Sequence, residues 1–528
     1  MSELLAGAGV LLAAAASATA ILLPPGRLRS AAMLLAIALV PVLVAGDQWH
    51  TTQIEDLRGD STRIAFLLGV AAVATGALAT AYRRWPKLLP LAIVFALPFR
   101  VPLHAGGDTA NLLVPLYLVI AAGVVAAAVR DWNAPSVGGA GNGRGVAGER
   151  PPFRFARQAP PTGALLWLPR LLAAFVVLYA LQTLYSQDFS EGLQNVCFFL
   201  APFTVAYALL RDCEWDRWLL TAVLVVVGIE AAVFVGVGTV EYLTRDLFWN
   251  DQVIRSNEFH TYFRVNSVFW DPNVYGRYLS LVIVVATTAL LWARERRDLV
   301  LLSALIGVLW FGLAVTFSQS SFLALLAGLA VLAALRWSWR WTLAAVVAGA
   351  IGAVLVVLLA GGSPKVRINI DTSGRANLVS GGLDLFADRP LQGYGSGAFQ
   401  DAYRDSLENK DVPVAVSHTE PVTIASEQGL LGIAIYLALI AVAIRVMASG
   451  LFAPRAGGTG EGGVEDAPAR RAPPSPVTGP ARRAVLAAFV ALLVHTMAYA
   501  GFFEDPITWV LLAVGASLAS APAVREPT

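Results

Sequence analysis

Fifteen apolar runs, most of them long enough to cross a bilayer, limit what this chain can fold into. They fall near 4–23, 31–46, 63–81, 88–100, 111–129, 164–185, 192–210, 217–239, 273–292, 299–316, 320–335, 341–361, 422–447, 483–501 and 506–522. A spanning helix needs about 20 apolar residues, and lipid offers no partner for a backbone N–H or C=O, so each run must satisfy its own as a helix. Composition agrees, with 57% hydrophobic and 14% charged residues, against roughly 25% charged in soluble domains. The expectation is an all-α polytopic membrane protein of about 12 to 15 transmembrane helices. The run from Leu4 to Leu23 has no basic residues before it and no evident cleavage site, so it reads as a spanning helix rather than a removed signal.

Basic residues set the expected orientation. Arg27 and Arg29, Arg83 and Arg84, Arg211 and Arg217, Arg294 with Arg296 and Arg297, and Arg336 with Arg340 fall on one side of the alternating runs, which the positive-inside rule makes the cytoplasm. The segments 130–163 and 448–482 fall there too; both are rich in Gly, Pro and Arg and read as disordered linkers. They divide the chain into N-terminal helices (1–129), central helices (164–361), a helix at 422–447 and C-terminal helices (483–522). On the opposite face lie the loops 240–272 and 362–421, the second long enough to carry short helices. Most charged residues that do not serve orientation sit in these two loops, so the chemistry is expected on the extracytoplasmic side, away from ATP.

Several function classes drop out. A net charge of +2, spread in short clusters, offers no face for nucleic acid. Cys197 and Cys213 make neither a disulfide framework nor a metal pattern. "GYGSG" at 393–397 has no preceding strand and no following P-loop Lys, so it reads as a tight turn. No D-x-D pair occurs, and Asp384 with Asp388 reads as a solvated helix face more readily than a metal site. Neither cofactor nor metal is expected.

The remaining candidates cluster in the two loops. In "FRVNSVFWDPNVYGRYLSL", Asp271 and Pro272 start a helix, as cap and first-turn proline. Asn273 and Arg277 then share a face at i, i+4, where Arg277 either serves a site or snorkels to the headgroups. Arg264 lies just outside. In "TSGRANLVSGGLDLFADRPLQGYGSGAF", Arg375 falls in the first turn of a helix that Pro390 ends. The macrodipole disfavours a cation there, and an anion held by free N–H groups and a guanidinium would explain it. Pairing with Asp371 or Asp384, or simple solvation, is the alternative. In "SHTEPVTIASEQGLLG", Ser417 and Glu420 have capping-box spacing, which puts His418 at or near a helix start. There the dipole favours the neutral imidazole that a general base needs. Glu427 is a candidate to orient a neighbour, and Gly429 and Gly432 are small positions where another helix can approach.

These three stretches resemble the O-antigen ligase and polymerase superfamily: "HTEPVTIASEQGLLG" its histidine-and-glycines signature, the Arg375 stretch with its "P-L-x-G-x-G-x-G-x-F" turn the segment ahead of it, and "FRVNSVFWDPN" its earlier arginine and D-P-N helix start. The likeness covers roughly residues 264–436. It implies a GT-C-like, metal-independent glycosyltransferase in the bacterial inner membrane, a ligase or polymerase. Such an enzyme takes a glycan from polyprenyl pyrophosphate and gives it to a glycan, lipid or protein acceptor. Carried over, Arg264 and Arg375 hold the pyrophosphate and His418 takes the acceptor proton, with Arg277, Asn273 and Glu427 in support. The alternative is a transporter that moves the same lipid-linked glycan uncut. For it Glu230, a carboxyl inside an apolar run, would be the proton carrier, unless that carboxyl is bonded to a neighbouring helix.

Overall fold

The computed structural model describes residues 3–51, 55, 58–105, 108–134, 163–259, 262–359, 375–407, 409, 417–451 and 478–520. Each of the fifteen apolar runs contains helix, and eleven helices among the described residues are long and apolar enough to cross a membrane. The protein is an all-α polytopic membrane protein. It divides into two compact units, Met1–Glu214 with Gly395–Gly397 and Trp215–Tyr394 with Ala398–Thr528.

In the first unit run α1 (Glu3–Leu22), α2 (Arg27–Asp47), α3 (Ser61–Arg84) and α4 (Leu88–Ala96), then α5 (Val114–Asn133), α6 (Ala164–Thr183), α7 (Phe189–Asn195) and α8 (Ala201–Arg211). The alanine-rich α1 packs along α2, α6 and α8. Buried Arg29 pairs with Asp212 and donates to the Ala208 carbonyl, holding the starts of α2 and the end of α8 together. α7 passes into α8 through a π turn, Val196–Leu200. The run 88–100 does not yield a spanning helix. α4 has nine residues, because Pro98 has no N–H with which to continue the helical ladder and its ring crowds the preceding turn. The chain turns instead into a hairpin of β1 (Val101–Ala105) and β2 (Asp108–Leu112), antiparallel with Val101 opposite Leu112, an element the apolar pattern did not announce.

The second unit contains α9 (Arg217–Thr244), α10 (Asp251–Phe259), α11 (Pro272–Trp292), α12 (Arg296–Thr316), α13 (Gln319–Arg336) and α14 (Trp339–Leu359). After these come α15 (Arg375–Asp388), α16 (Phe399–Ser406), α17 (Glu420–Ala448), α18 (Thr478–Thr496) and α19 (Pro506–Ser520). α11 is central and packs on α9, α12, α13 and α18. Its start is built as the sequence implies: Asp271 Oδ1 accepts the N–H groups of Asn273 and Val274 at 2.6 and 3.3 Å, and Pro272 occupies a first-turn position whose N–H would have no partner in the helix. Gly276 lets α13 close on α11, since a Cβ there would sit 2.6 Å from Ser321 Oγ. The loop 362–421 contributes α15 and α16, as expected of a loop carrying short helices. α18 begins at Thr478, inside the segment read as linker. Most of that linker and of 130–163 lies outside the described residues.

Candidate active site

All candidate residues belong to the second unit. Arg264 follows α10 on a short extended segment fixed at both backbone groups by Asn257, whose side chain accepts from Arg264 N and donates to Arg264 O, each at 3.0 Å. Glu241, at the end of α9, holds the next residues by accepting the N–H groups of Asn266 and Ser267 at 3.2 and 2.7 Å. The Arg264 guanidinium is thereby aimed at the junction of α12 and α13. Its Nε donates to the Thr316 carbonyl at 2.9 Å and its Nη2 to Asn273 Oδ1 at 3.1 Å. Thr316 closes α12, so this arginine satisfies one of the carbonyls a helix end leaves without a partner.

From Asn273 a polar seam continues across the unit. Ser318 Oγ donates to Asn273 Oδ1 at 2.9 Å and lies 2.8 Å from Ser321 Oγ. His495 Nε2, from α18, lies 3.2 Å from Ser320 Oγ and 3.4 Å from Ser321 Oγ. The His495 ring packs against Tyr499 with centroids 5.8 Å apart, and Tyr499 against His418 at 6.0 Å. Contiguous contacts therefore join Arg264 to His418.

His418 itself stands two residues before α17 with φ of 59°, a left-handed conformation rare for a residue with a side chain. The capping box does not form. Glu420 turns away from Ser417 and accepts the N–H groups of Gly501 and Phe502 at 2.7 and 3.0 Å, while Ser417 Oγ bonds Thr419 and Thr423. Spacing alone was satisfied, but a long-range partner claimed the carboxylate.

Gly429 is likewise no smooth helical position. At φ 64° and ψ −160° it breaks α17, and the broken ladder is taken up by the turn after α15: Leu430 N donates to Pro390 O at 2.7 Å and Tyr394 N to Ser426 O at 3.1 Å. The expected tight turn at 393–397 is present, with positive φ at Gly393, Gly395 and Gly397. Beside it, Glu427 Oε1 accepts the Phe399 N–H at 3.2 Å, so Glu427 orients backbone. Gly432 lies within α17 and is buried.

Arg375 begins α15, as the sequence implied; its side chain lies outside the described residues. The helix it starts is seated on α17, since a Cβ on Gly382 would meet Val422 at 2.5 Å. Arg277 does not snorkel: it is buried and pairs with Asp505 at 2.9 Å. Glu230 is bonded to the neighbouring helix, accepting from Tyr278 Oη at 3.1 Å, the arrangement of a buried structural carboxyl. Asp388 accepts from Tyr394 Oη at 2.6 Å.

Sequence reasoning missed His495, Tyr499, Glu420 and Asp505 as members of this cluster. A lone histidine within an apolar run was the available signal.

Comparison with known proteins puts these residues in context. The family model described as O-antigen ligase matches residues 304–437, from within α12 to within α17, a stretch that holds Ser318, Arg375, His418, Glu427 and Gly429. Arg264, Asn273 and Arg277 lie before it and His495 to Asp505 beyond it. No curated protein matches the chain. The match supports placing residues 304–437 of this multi-pass membrane protein in the O-antigen ligase and polymerase superfamily.

Proposed function

We propose that the protein is a membrane glycosyltransferase that moves a glycan from polyprenyl pyrophosphate to an acceptor hydroxyl on the extracytoplasmic side of the bacterial inner membrane. The observation that carries this reading is the contiguous seam from Arg264 through Asn273, Ser318, Ser321, His495 and Tyr499 to His418. It gives a cation and a candidate base a common, rigid frame, in a unit where residues 304–437 match O-antigen ligases. The sidedness rests on charge. Within α12 and α13 the seam lies at the Thr316 and Ser318 ends, whereas Arg296, Arg297 and Arg336 lie at the opposite ends, where the positive-inside rule expects the cytoplasm.

The transfer is a single displacement at the anomeric carbon. The acceptor oxygen forms its bond to that carbon as the bond to the pyrophosphate oxygen breaks, and His418 receives the acceptor's proton. Such a base contributes about 10²–10⁴-fold. Charge grows on the departing pyrophosphate, and Arg264 and Arg375 neutralise it at about 2–4 kcal/mol per well-placed donor. Two guanidiniums do the work that a divalent cation does elsewhere, so the reaction is expected to run with EDTA present. The donor is already activated and needs no further energy source.

Mass spectrometry of products from the purified protein in liposomes, given a polyprenyl pyrophosphate oligosaccharide, tests the reading. Release of polyprenyl pyrophosphate with a lengthened glycan would mark a polymerase, and release only after a foreign acceptor is added would mark a ligase. A donor left intact across glycan, lipid and protein acceptors would defeat the transferase reading in favour of transport.

A further inference from the structure

Three consecutive residues at the entry to α17 are each fastened to the segment that follows α18. The His418 ring meets the Tyr499 ring at 6.0 Å between centroids with planes inclined by 47°, within the separation at which aromatic rings interact. Thr419 Oγ1 donates to the Met497 carbonyl at 3.1 Å. The buried Glu420 carboxylate accepts the N–H groups of Gly501 and Phe502. Tyr499 also meets His495, whose ring is 5.8 Å away and whose Nε2 is tied to Ser320 and Ser321. The far end of the segment is pinned by Asp505 to Arg277.

The backbone at His418 explains why so many ties are needed. A left-handed conformation at a residue bearing a Cβ persists only where its surroundings over-determine it, and His418 has φ of 59°. Thr419 and Glu420 fix the backbone on its C-terminal side. The Tyr499 ring meets the imidazole itself.

We propose that Tyr499 is a positioning residue for His418, its ring holding the imidazole in the orientation required for proton transfer, with His495 packed against the same tyrosine. The proposal rests on the reading of His418 as the base that receives the acceptor proton. It extends the site beyond residues 304–437 to the chain between α18 and α19.

The test uses the full chain in lipid nanodiscs, as wild type, Tyr499→Ala, Tyr499→Phe and His418→Ala, with two measurements. In steady-state kinetics Tyr499→Ala should lower kcat about tenfold or more while the donor KM stays within about twofold, the pattern expected when a reacting group is misplaced and substrate binding is not. Tyr499→Phe keeps the ring and should recover most of kcat. In 15N-histidine NMR the His418 ring resonances, assigned by their loss in His418→Ala, should move in Tyr499→Ala and stay in place in Tyr499→Phe. An unchanged kcat in Tyr499→Ala, a loss confined to donor KM, or unmoved His418 resonances would each overturn the proposal. If Tyr499→Ala does not fold, Tyr499→Leu keeps most of the volume without the aromatic face and is read by the same two measurements. Wild-type turnover in His418→Ala would defeat the general-base reading separately, with the NMR arm still deciding whether Tyr499 sets the ring.

Discussion

Arg277 and Asp505 lie 2.9 Å apart with 5% and 3% of their side chains exposed. A buried pair is held less by net attraction than by the cost of leaving either ion alone. Replacing Asp505 by Ala should therefore lower stability by about 3–5 kcal/mol, read by thermal unfolding in nanodiscs. The double variant Arg277→Leu with Asp505→Leu should lose less than the single variants combined. Additive losses would mean that the two side chains do not act as a pair.

His418→Ala should abolish glycan transfer and leave donor binding nearly intact. Activity surviving within about tenfold, below the range such a base supplies, would rule out the general-base role. Equilibrium binding of a radiolabelled donor separates this outcome from a folding defect.

Lysine should not substitute for the two arginines proposed to hold the pyrophosphate. Arg264 divides its guanidinium between the Thr316 carbonyl and Asn273, and an ammonium cannot reproduce that fixed fork while facing a phosphate. Arg264→Lys and Arg375→Lys should each lose nearly as much activity as the corresponding alanine variants. Turnover at wild-type rate in either lysine variant would remove that residue from the clamp.

Gly429→Ala should destabilise the second unit. Its backbone conformation is nearly closed to other residues, which costs about 1–3 kcal/mol, and the new Cβ would lie 2.3 Å from the Leu391 carbonyl oxygen. Gly236→Ala in α9 is the control: nothing lies within 4 Å of the added atom, so the better helix propensity of alanine should make it neutral or stabilising by up to about 1 kcal/mol. Equal melting temperatures for the two variants would contradict the break at Gly429.

What was legible in the sequence is what local chemistry decides. A long apolar run has no alternative to helix in lipid, so the runs were readable though not all of their ends, as was the Asp271 and Pro272 helix start. The short α4 and the hairpin after it depended on Pro98, a signal present but outweighed by the surrounding apolar residues. Glu420 shows the other limit. Its spacing from Ser417 fits a capping box, yet backbone N–H groups eighty-odd residues away hold its carboxylate. No window of sequence contains that competition. His495 and Tyr499 were hidden for the same reason, since each gains meaning only from what α18 brings them against. Arg277 sat between two readings, and only a partner from the start of α19 decides that it is buried.

The hydrogen bond from Leu430 N to Pro390 O has a topological consequence. It closes residues 390 to 430 into a ring, so that the histidine-bearing strand is anchored at the helix break on one side and by Glu420 on the other. The entropy of closing such a loop grows only logarithmically, by about 0.6 kcal/mol for each doubling of length. Residues added between α16 and Ser417 would lengthen the perimeter without moving the anchors. His418 is thereby held between two fixed points whatever the length of chain that leads up to it.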